Sequence, residues 1–185
     1  MVTDVIRDRA RVVRGAGAAA AERLGAVERS LTIERPAEDL YRQWRDPQVM
    51  KQVMAHLGVV TPAGEGRLHW LMVNPTGQVV EWDTQLVEDR PGEVIRWATA
   101  NGPIPNEGSV RFHAAPGDRG TVVTLCLRFS PQSGPIGDIA ARLGKNFNLR
   151  NLTGTALRRF KSLAETGEIP TTHRQPSGRG AGRDE

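Results

Sequence analysis

Residues 67–84 read Arg67-Leu-His-Trp70-Leu-Met-Val-Asn74-Pro-Thr-Gly77-Gln-Val-Val-Glu-Trp82-Asp-Thr84, and this stretch decides the fold. In Asn74-Pro75-Thr76-Gly77 the proline suits the second position of a type I turn and the glycine the left-handed position after it. Together they make a three-residue hairpin loop with a glycine bulge. With Pro75 to Gly77 as the loop, Asn74 pairs with Gln78, Trp70 opposes Trp82 and Met72 opposes Val80 on one face, while His69 opposes Asp83 on the other. A register one residue shorter sets Trp70 against Glu81 and mixes apolar with charged side chains, which sheet pairing disfavours.

Working outward from the hairpin, the chain to Pro131 is strand after strand. Turn signals stand at Ala63-Gly64, Asp89-Arg90-Pro91-Gly92, Asn101-Gly102-Pro103 and Pro116-Gly117-Asp118, the pattern of an antiparallel meander. Alternation gathers Trp82, Thr84, Leu86, Ile95, Trp97, Val110, Phe112, Val123, Leu125, Leu127 and Phe129 on one face. Glu81, Asp83, Gln85, Arg96, Arg111, His113, Cys126 and Arg128 fall on the other. One face is therefore almost free of ionisable groups, with Thr84 and Thr99 as its polar interruptions. Such a face must be covered.

Before the meander, Leu31 and Ile33 alternate with Ser30, Thr32 and Glu34 as a half-buried strand. Pro36, with Glu38 and Asp39 behind it, opens a helix with the stripe Leu40, Tyr41, Trp44. Asp46-Pro47 opens a second short helix carrying Val49, Met50, Val53, Met54 and Leu57. After Pro135, helical spacing returns with Ile136, Ile139, Ala140, Leu143 and Phe147. It resumes in another phase with Leu149, Leu152, Ala156, Phe160 and Leu163, so a break or kink is predicted between Gly144 and Leu152. This is the one long amphipathic element able to cover the sheet.

Residues 5–27 read as an N-terminal helical arm, residues 28–166 as one folded domain and residues 167–185 as a disordered tail rich in Gly, Pro, Thr, Ser and Arg. Arg7, Arg11 and Arg14 share a face of the arm and suit peripheral contact with an anionic membrane, but Asp4 and Asp8 dilute their charge. A packing or oligomerising arm is the first reading, and the sequence leaves the oligomeric state open.

Composition removes several function classes. The 185 residues hold one cysteine, Cys126, which excludes a disulfide framework and multi-cysteine metal modules and fits a reducing cytoplasm. No stretch approaches the roughly 20 apolar residues needed to span a bilayer, and no signal peptide is legible. The pI of about 10.0 reflects 22 arginines against 3 lysines, which also hints at a GC-rich bacterial source. With a net charge of only +4 and acids interleaved throughout, it predicts no nucleic-acid partner.

Neither metal nor another cofactor is called for. His56, His69, His113 and His173 show no ligand spacing, and no glycine-rich phosphate loop occurs. His113 and Cys126 share the outer face of neighbouring strands, but an apolar run around the thiol points to an inert cysteine. His69 with Asp83 has the form of an acid–base pair, yet it faces away from the apolar side and reads as a partly covered polar pair.

The order of elements resembles the helix-grip or START-like α+β fold, a curved antiparallel sheet wrapped on a long C-terminal helix. Ser30-Leu-Thr-Ile-Glu-Arg-Pro36, Leu40-Tyr-Arg-Gln-Trp-Arg-Asp46, Arg67-Leu-His-Trp70, Val80-Glu-Trp-Asp83, Glu88-Asp-Arg-Pro-Gly-Glu-Val-Ile95, Gly108-Ser-Val-Arg-Phe112 and Leu157-Arg-Arg-Phe-Lys161 carry the likeness. So does the tail Glu165-Thr-Gly-Glu-Ile-Pro-Thr-Thr172 with Gln175-Pro-Ser-Gly178. These stretches resemble a bacterial branch of the polyketide cyclase/dehydrase and coenzyme-Q-binding START (SRPBCC) superfamily. The resemblance implies binding of a lipid, quinone or polyketide-like molecule, or cyclisation or dehydration of one, and it assigns no catalytic residue by position.

Joined to the apolar face, the resemblance predicts a hydrophobic ligand held between sheet and C-terminal helix by Trp70, Met72, Trp82, Thr84, Trp97, Phe112, Leu127, Phe129, Leu143 and Phe147. The lack of interior ionisable groups favours binding over catalysis. A cyclase or dehydratase, the second reading, needs an internal proton donor or acceptor, for which Tyr41, Thr84, Thr99 and Arg150 are the candidates. An interaction protein with a filled core is the third.

Overall fold

A computed structural model describes residues 26–73, 77–129 and 148–170, and only the backbone of Phe129. In chain order the elements are β1 (Val27–Ile33), α1 (Ala37–Arg45), α2 (Pro47–Val53), β2 (Val59–Pro62), β3 (Arg67–Val73), β4 (Val79–Arg90), β5 (Val94–Asn101), β6 (Asn106–Ala114), β7 (Thr121–Phe129) and α3 (Leu149–Thr166). The strands form one antiparallel sheet in the order β1-β7-β6-β5-β4-β3-β2. It curls as a half-barrel around α3, the α+β helix-grip arrangement expected from the order of elements.

The β3–β4 register is the one the turn chemistry demands: Trp70 opposes Trp82, Met72 opposes Val80 and His69 opposes Asp83. The two indoles stack with centroids 5.8 Å apart and planes 5° from parallel. In β4 the pairing with β5 slips between Leu86 and Glu88. This bulge leaves Val87 64% exposed. Beyond it Glu88 turns outward to Arg96 (3.2 Å), and Asp89 stands opposite the buried Ile95 on the concave side. Unbroken alternation from Leu86 would have put these two acids on the opposite faces.

The helices start and stop where local chemistry dictates. Asp46 accepts a hydrogen bond from Gln48 N (2.8 Å), with Pro47 at the first position of α2. Asn148 accepts from Arg150 N (2.9 Å) and Asn151 N (3.2 Å) to open α3, inside the interval where a break is predicted. Gly167, at φ 79°, closes α3 by donating to Leu163 O (2.8 Å).

Residues 136–147, read as helical from sequence, lie outside the described residues, as do 1–25 and 171–185. Two boundaries shift. Val27, placed by periodicity at the end of the N-terminal arm, is the first residue of β1, where it pairs with Leu127. Residues 167–170, assigned to the tail, begin in order: Ser162 Oγ donates to Glu168 O (2.9 Å) and Glu168 N to Thr166 Oγ1 (3.2 Å).

Helix α3 lies over β1 and β7 and touches α2. Its Ala156, Leu157, Phe160 and Ala164 are buried against Ile33, Val123 and Leu125 of the same core. Each large side chain so buried contributes about 1.5–3 kcal/mol. Cations from α3 and the β1–α1 turn bind carbonyls across the joints: Arg159 donates to Val53 O (3.0 Å) and Gln52 O (2.8 Å), Arg35 to Ala164 O (3.0 Å), and Lys161 to Thr32 O (2.7 Å). Arg159 and Arg35 thereby meet the negative ends of α2 and α3.

Candidate functional site: an apolar pocket beneath the first two helices

Away from α3, the sheet is roofed by α1 and α2, and a pocket of about 120 Å³ lies between them and β2–β5. The roof consists of Trp44, Pro47, Met50 and Met54. The floor is Trp70, Thr84, Leu86, Ile95 and Trp97, and the β2–β3 hairpin closes one side with Pro62, Gly64, Gly66 and Leu68. Arg45 and Arg67 complete the lining.

Each wall residue has a local cause. Trp44 follows Leu40 by one helical turn on the inward stripe of α1, and it meets Phe160 edge-on at 4.8 Å. Trp97 lies flat across the backbone of β6 because its cross-strand partner is Gly108, where any side chain would collide with the indole. Trp70 Nε1 donates to Thr84 Oγ1 (2.9 Å). Thr84 is a buried hydroxyl, 4% exposed. Since its oxygen accepts from Trp70, its own proton is left to give, and no protein acceptor for it stands among the described residues.

The ligand residues expected from sequence divide into groups. Trp70, Thr84 and Trp97 line the pocket. Met72, Trp82 and Phe112 are buried in the core cluster, and Leu127 packs against it. Leu143, Phe147 and the Phe129 side chain lie outside what is described. Among the described residues the pocket lining includes none from α3, where Leu157 and Phe160 are fully buried, and the part of the expected C-terminal helix that carries Leu143 and Phe147 lies outside them. Sequence reasoning missed Trp44, Met50, Met54 and Arg45. The signal of the first three was legible as the apolar stripes of two short helices, which it treated as packing alone.

The proposed proton-transfer groups also separate. Thr99 Oγ1 is tied into the β5–β6 connection, donating to Ile104 O (2.7 Å) and accepting from Asn106 N (2.9 Å). Arg150 sits exposed in the first turn of α3. Tyr41 donates to Asp89 Oδ1 (2.7 Å), and Arg45 Nε lies 3.1 Å from Asp89 Oδ2. Burial foremost, then the Asp89 carboxylate, raises the Tyr41 pKa above 10.0 and keeps the phenol protonated.

His69 Nδ1 is 2.8 Å from Asp83 Oδ1 on the outer face, remote from the pocket. Cys126 pairs across the strands with Glu28 and Ser109 rather than His113. Desolvation and then Glu28 push its thiol pKa up, the opposite of what a nucleophile needs. Among the described residues no three His, Cys, Asp or Glu side chains group to hold a metal, and no helix is long and apolar enough to cross a membrane.

Residues 33–155 match the model of a family described as polyketide cyclase/dehydrase and lipid transport. A crystal structure from Deinococcus radiodurans is 32% identical, superposes with a TM-score of 0.59, and the match covers 77% of this chain and 99% of that one. One from Thermus thermophilus is 21% identical with a TM-score of 0.57, covering 75% of this chain and 96% of the other. An uncharacterized 17.2 kDa protein of Streptomyces lincolnensis is 27% identical over 143 residues, 77% of this chain and 91% of its own. With the curled sheet, the gripping helix and a match over most of the chain, the protein belongs to the polyketide cyclase/dehydrase and lipid transport family of the START-like (SRPBCC) superfamily.

Proposed function

We propose that this protein is a binding module for a small hydrophobic ligand, held in the pocket beneath α1 and α2. One observation carries the reading: three indoles and five aliphatic or thioether side chains surround a space whose buried polar anchor is Thr84, with a proton to donate. Apolar walls with a few placed polar groups are the usual form of a small-molecule site. Thr84 suits a ligand bearing an acceptor oxygen, such as the carbonyl of a quinone or polyketide-like ring. An apolar cavity of roughly 150 Å³ holds a benzene ring, so a pocket of about 120 Å³ accommodates one ring or a short chain, and any longer lipid tail would run out through the mouth. Among the described residues the lining carries no carboxylate, imidazole or thiol to act as a general base, which favours binding over cyclisation or dehydration.

Native and denaturing mass spectra of the gently purified protein test this directly. A co-purifying lipophile, or a shift in tryptophan emission on titration with quinones and short lipids, is expected because Trp44, Trp70 and Trp97 line the space. An empty protein with unchanged emission across the panel would leave the pocket as a packing defect.

A further inference from the structure

Among the described residues the two charged side chains of the pocket lining are both arginines, and no acid is among them. Arg67 donates through Nε to the neutral Gln85 Oε1 (3.3 Å). Arg45 is positioned from behind. Its Nε lies 3.1 Å from Asp89 Oδ2, and the other oxygen of Asp89 takes the Tyr41 hydroxyl at 2.7 Å. Asp89 reaches this place because the bulge at Val87 turns it to the concave side. One oxygen of the carboxylate thus faces the guanidinium, while the other is fixed by the Tyr41 hydroxyl. A guanidinium has five N–H donors in a planar fork, and Asp89 faces only the Nε of Arg45. What remains at the pocket is the rest of the fork of an arginine whose charge Asp89 partly offsets, restrained before any ligand arrives, with the geometry that matches a carboxylate.

We infer that the ligand is an amphipathic carboxylic acid of one ring or a short chain, its carboxylate on Arg45 and its apolar body between Trp70 and Trp97. The inference rests on the pocket being a binding site, and it adds the chemistry of the head group. Arg67 contributes to the positive potential at the pocket and draws acids over neutral molecules of the same shape.

The test compares acids with alcohols of equal size: benzoate against benzyl alcohol and hexanoate against hexanol, by tryptophan emission and calorimetry on the full chain. The acids are expected to bind about tenfold or more tightly than the alcohols. Raising the salt should weaken the acids and leave the alcohols alone. In Arg45→Met, whose side chain stands partly in solvent, the preference for the acids should vanish, whereas Arg45→Lys keeps the charge and loses the fork, retaining part of it. Alcohols binding as well as acids to the native protein would overturn the head-group assignment while supporting the apolar pocket. Binding of neither would overturn both. Acid preference that survives Arg45→Met or Arg45→Lys undiminished would remove Arg45 from the role, and salt-independent binding of the acids to the native protein would overturn the head-group assignment even if those variants fail to fold.

Discussion

The same sheet is covered twice, and the two covers differ. Under α3, Phe160, Leu157, Val123 and Leu125 have no exposed surface, and the small Ala156 and Ala164 let the helix settle close to β1 and β7. Under α1 and α2 the covering residues are indoles and thioethers, and about 120 Å³ stays open. Rigid indoles do not mesh as aliphatic side chains do, and two short helices joined at Asp46 cannot follow a curled sheet as one long helix can. Trp44 stands between the halves, one ring edge against Phe160 and the rest in the pocket wall. Stability is therefore concentrated at one end of the molecule and binding capacity at the other.

That division is most severely tested in the packed half. Phe160→Ala should cost about 3–5 kcal/mol by cavity formation, read as a lowered urea midpoint, while ligands of the pocket still shift tryptophan emission in the fraction that folds. Gly108→Ala strikes the boundary from the other side. Displacing the Trp97 indole should cost roughly 1–3 kcal/mol and also abolish binding, since the indole would swing into the pocket.

Thr84→Val leaves the buried Trp70 N–H without its acceptor and should cost about 1–3 kcal/mol, with ligands bearing an acceptor oxygen losing more affinity than hydrocarbons. Leu68→Phe fills the pocket instead. It is expected to change stability by less than about 1.5 kcal/mol and to remove the emission response.

The smallest effect concerns acid. His56 hydrogen-bonds through Nδ1 to Val53 O (3.1 Å) at the junction of α2 with α3. Desolvation foremost, with Arg159 nearby, lowers its pKa below 6.5. The unfolded chain then takes up this proton first as pH falls through 6.5, so stability declines from there until the folded form is protonated too. One edge of His56 is open to water, which keeps the slope shallow. Denaturation at stepped pH should show the slope in the native protein and a flatter one in His56→Gln.

The β3–β4 hairpin was legible because its chemistry is local: Pro75 and Gly77 specify the loop, the loop specifies the register, and the register puts Trp70 on Trp82. The apolar face was legible for the same reason, since a period of two needs no knowledge of what covers it. The pocket was not. Periodicity shows that Trp44, Met50 and Met54 lie on inward stripes, but not that they roof a space above β2–β5. The grouping of Tyr41, Arg45 and Asp89 was hidden behind the bulge at Val87, for which no glycine or proline in β4 gives notice.

That bulge makes β4 sensitive to its length and indifferent to its composition at one place. The Val87 side chain lies largely in water, so almost any residue can stand there. Deleting the position is a different matter: the remaining strand would realign by one, send Asp89 outside and bring Glu88 in, and strip Arg45 and Tyr41 of their shared partner without altering one of those residues. Across relatives of this fold, a single-residue gap in β4 would then mark a change of ligand more reliably than any substitution in the pocket wall.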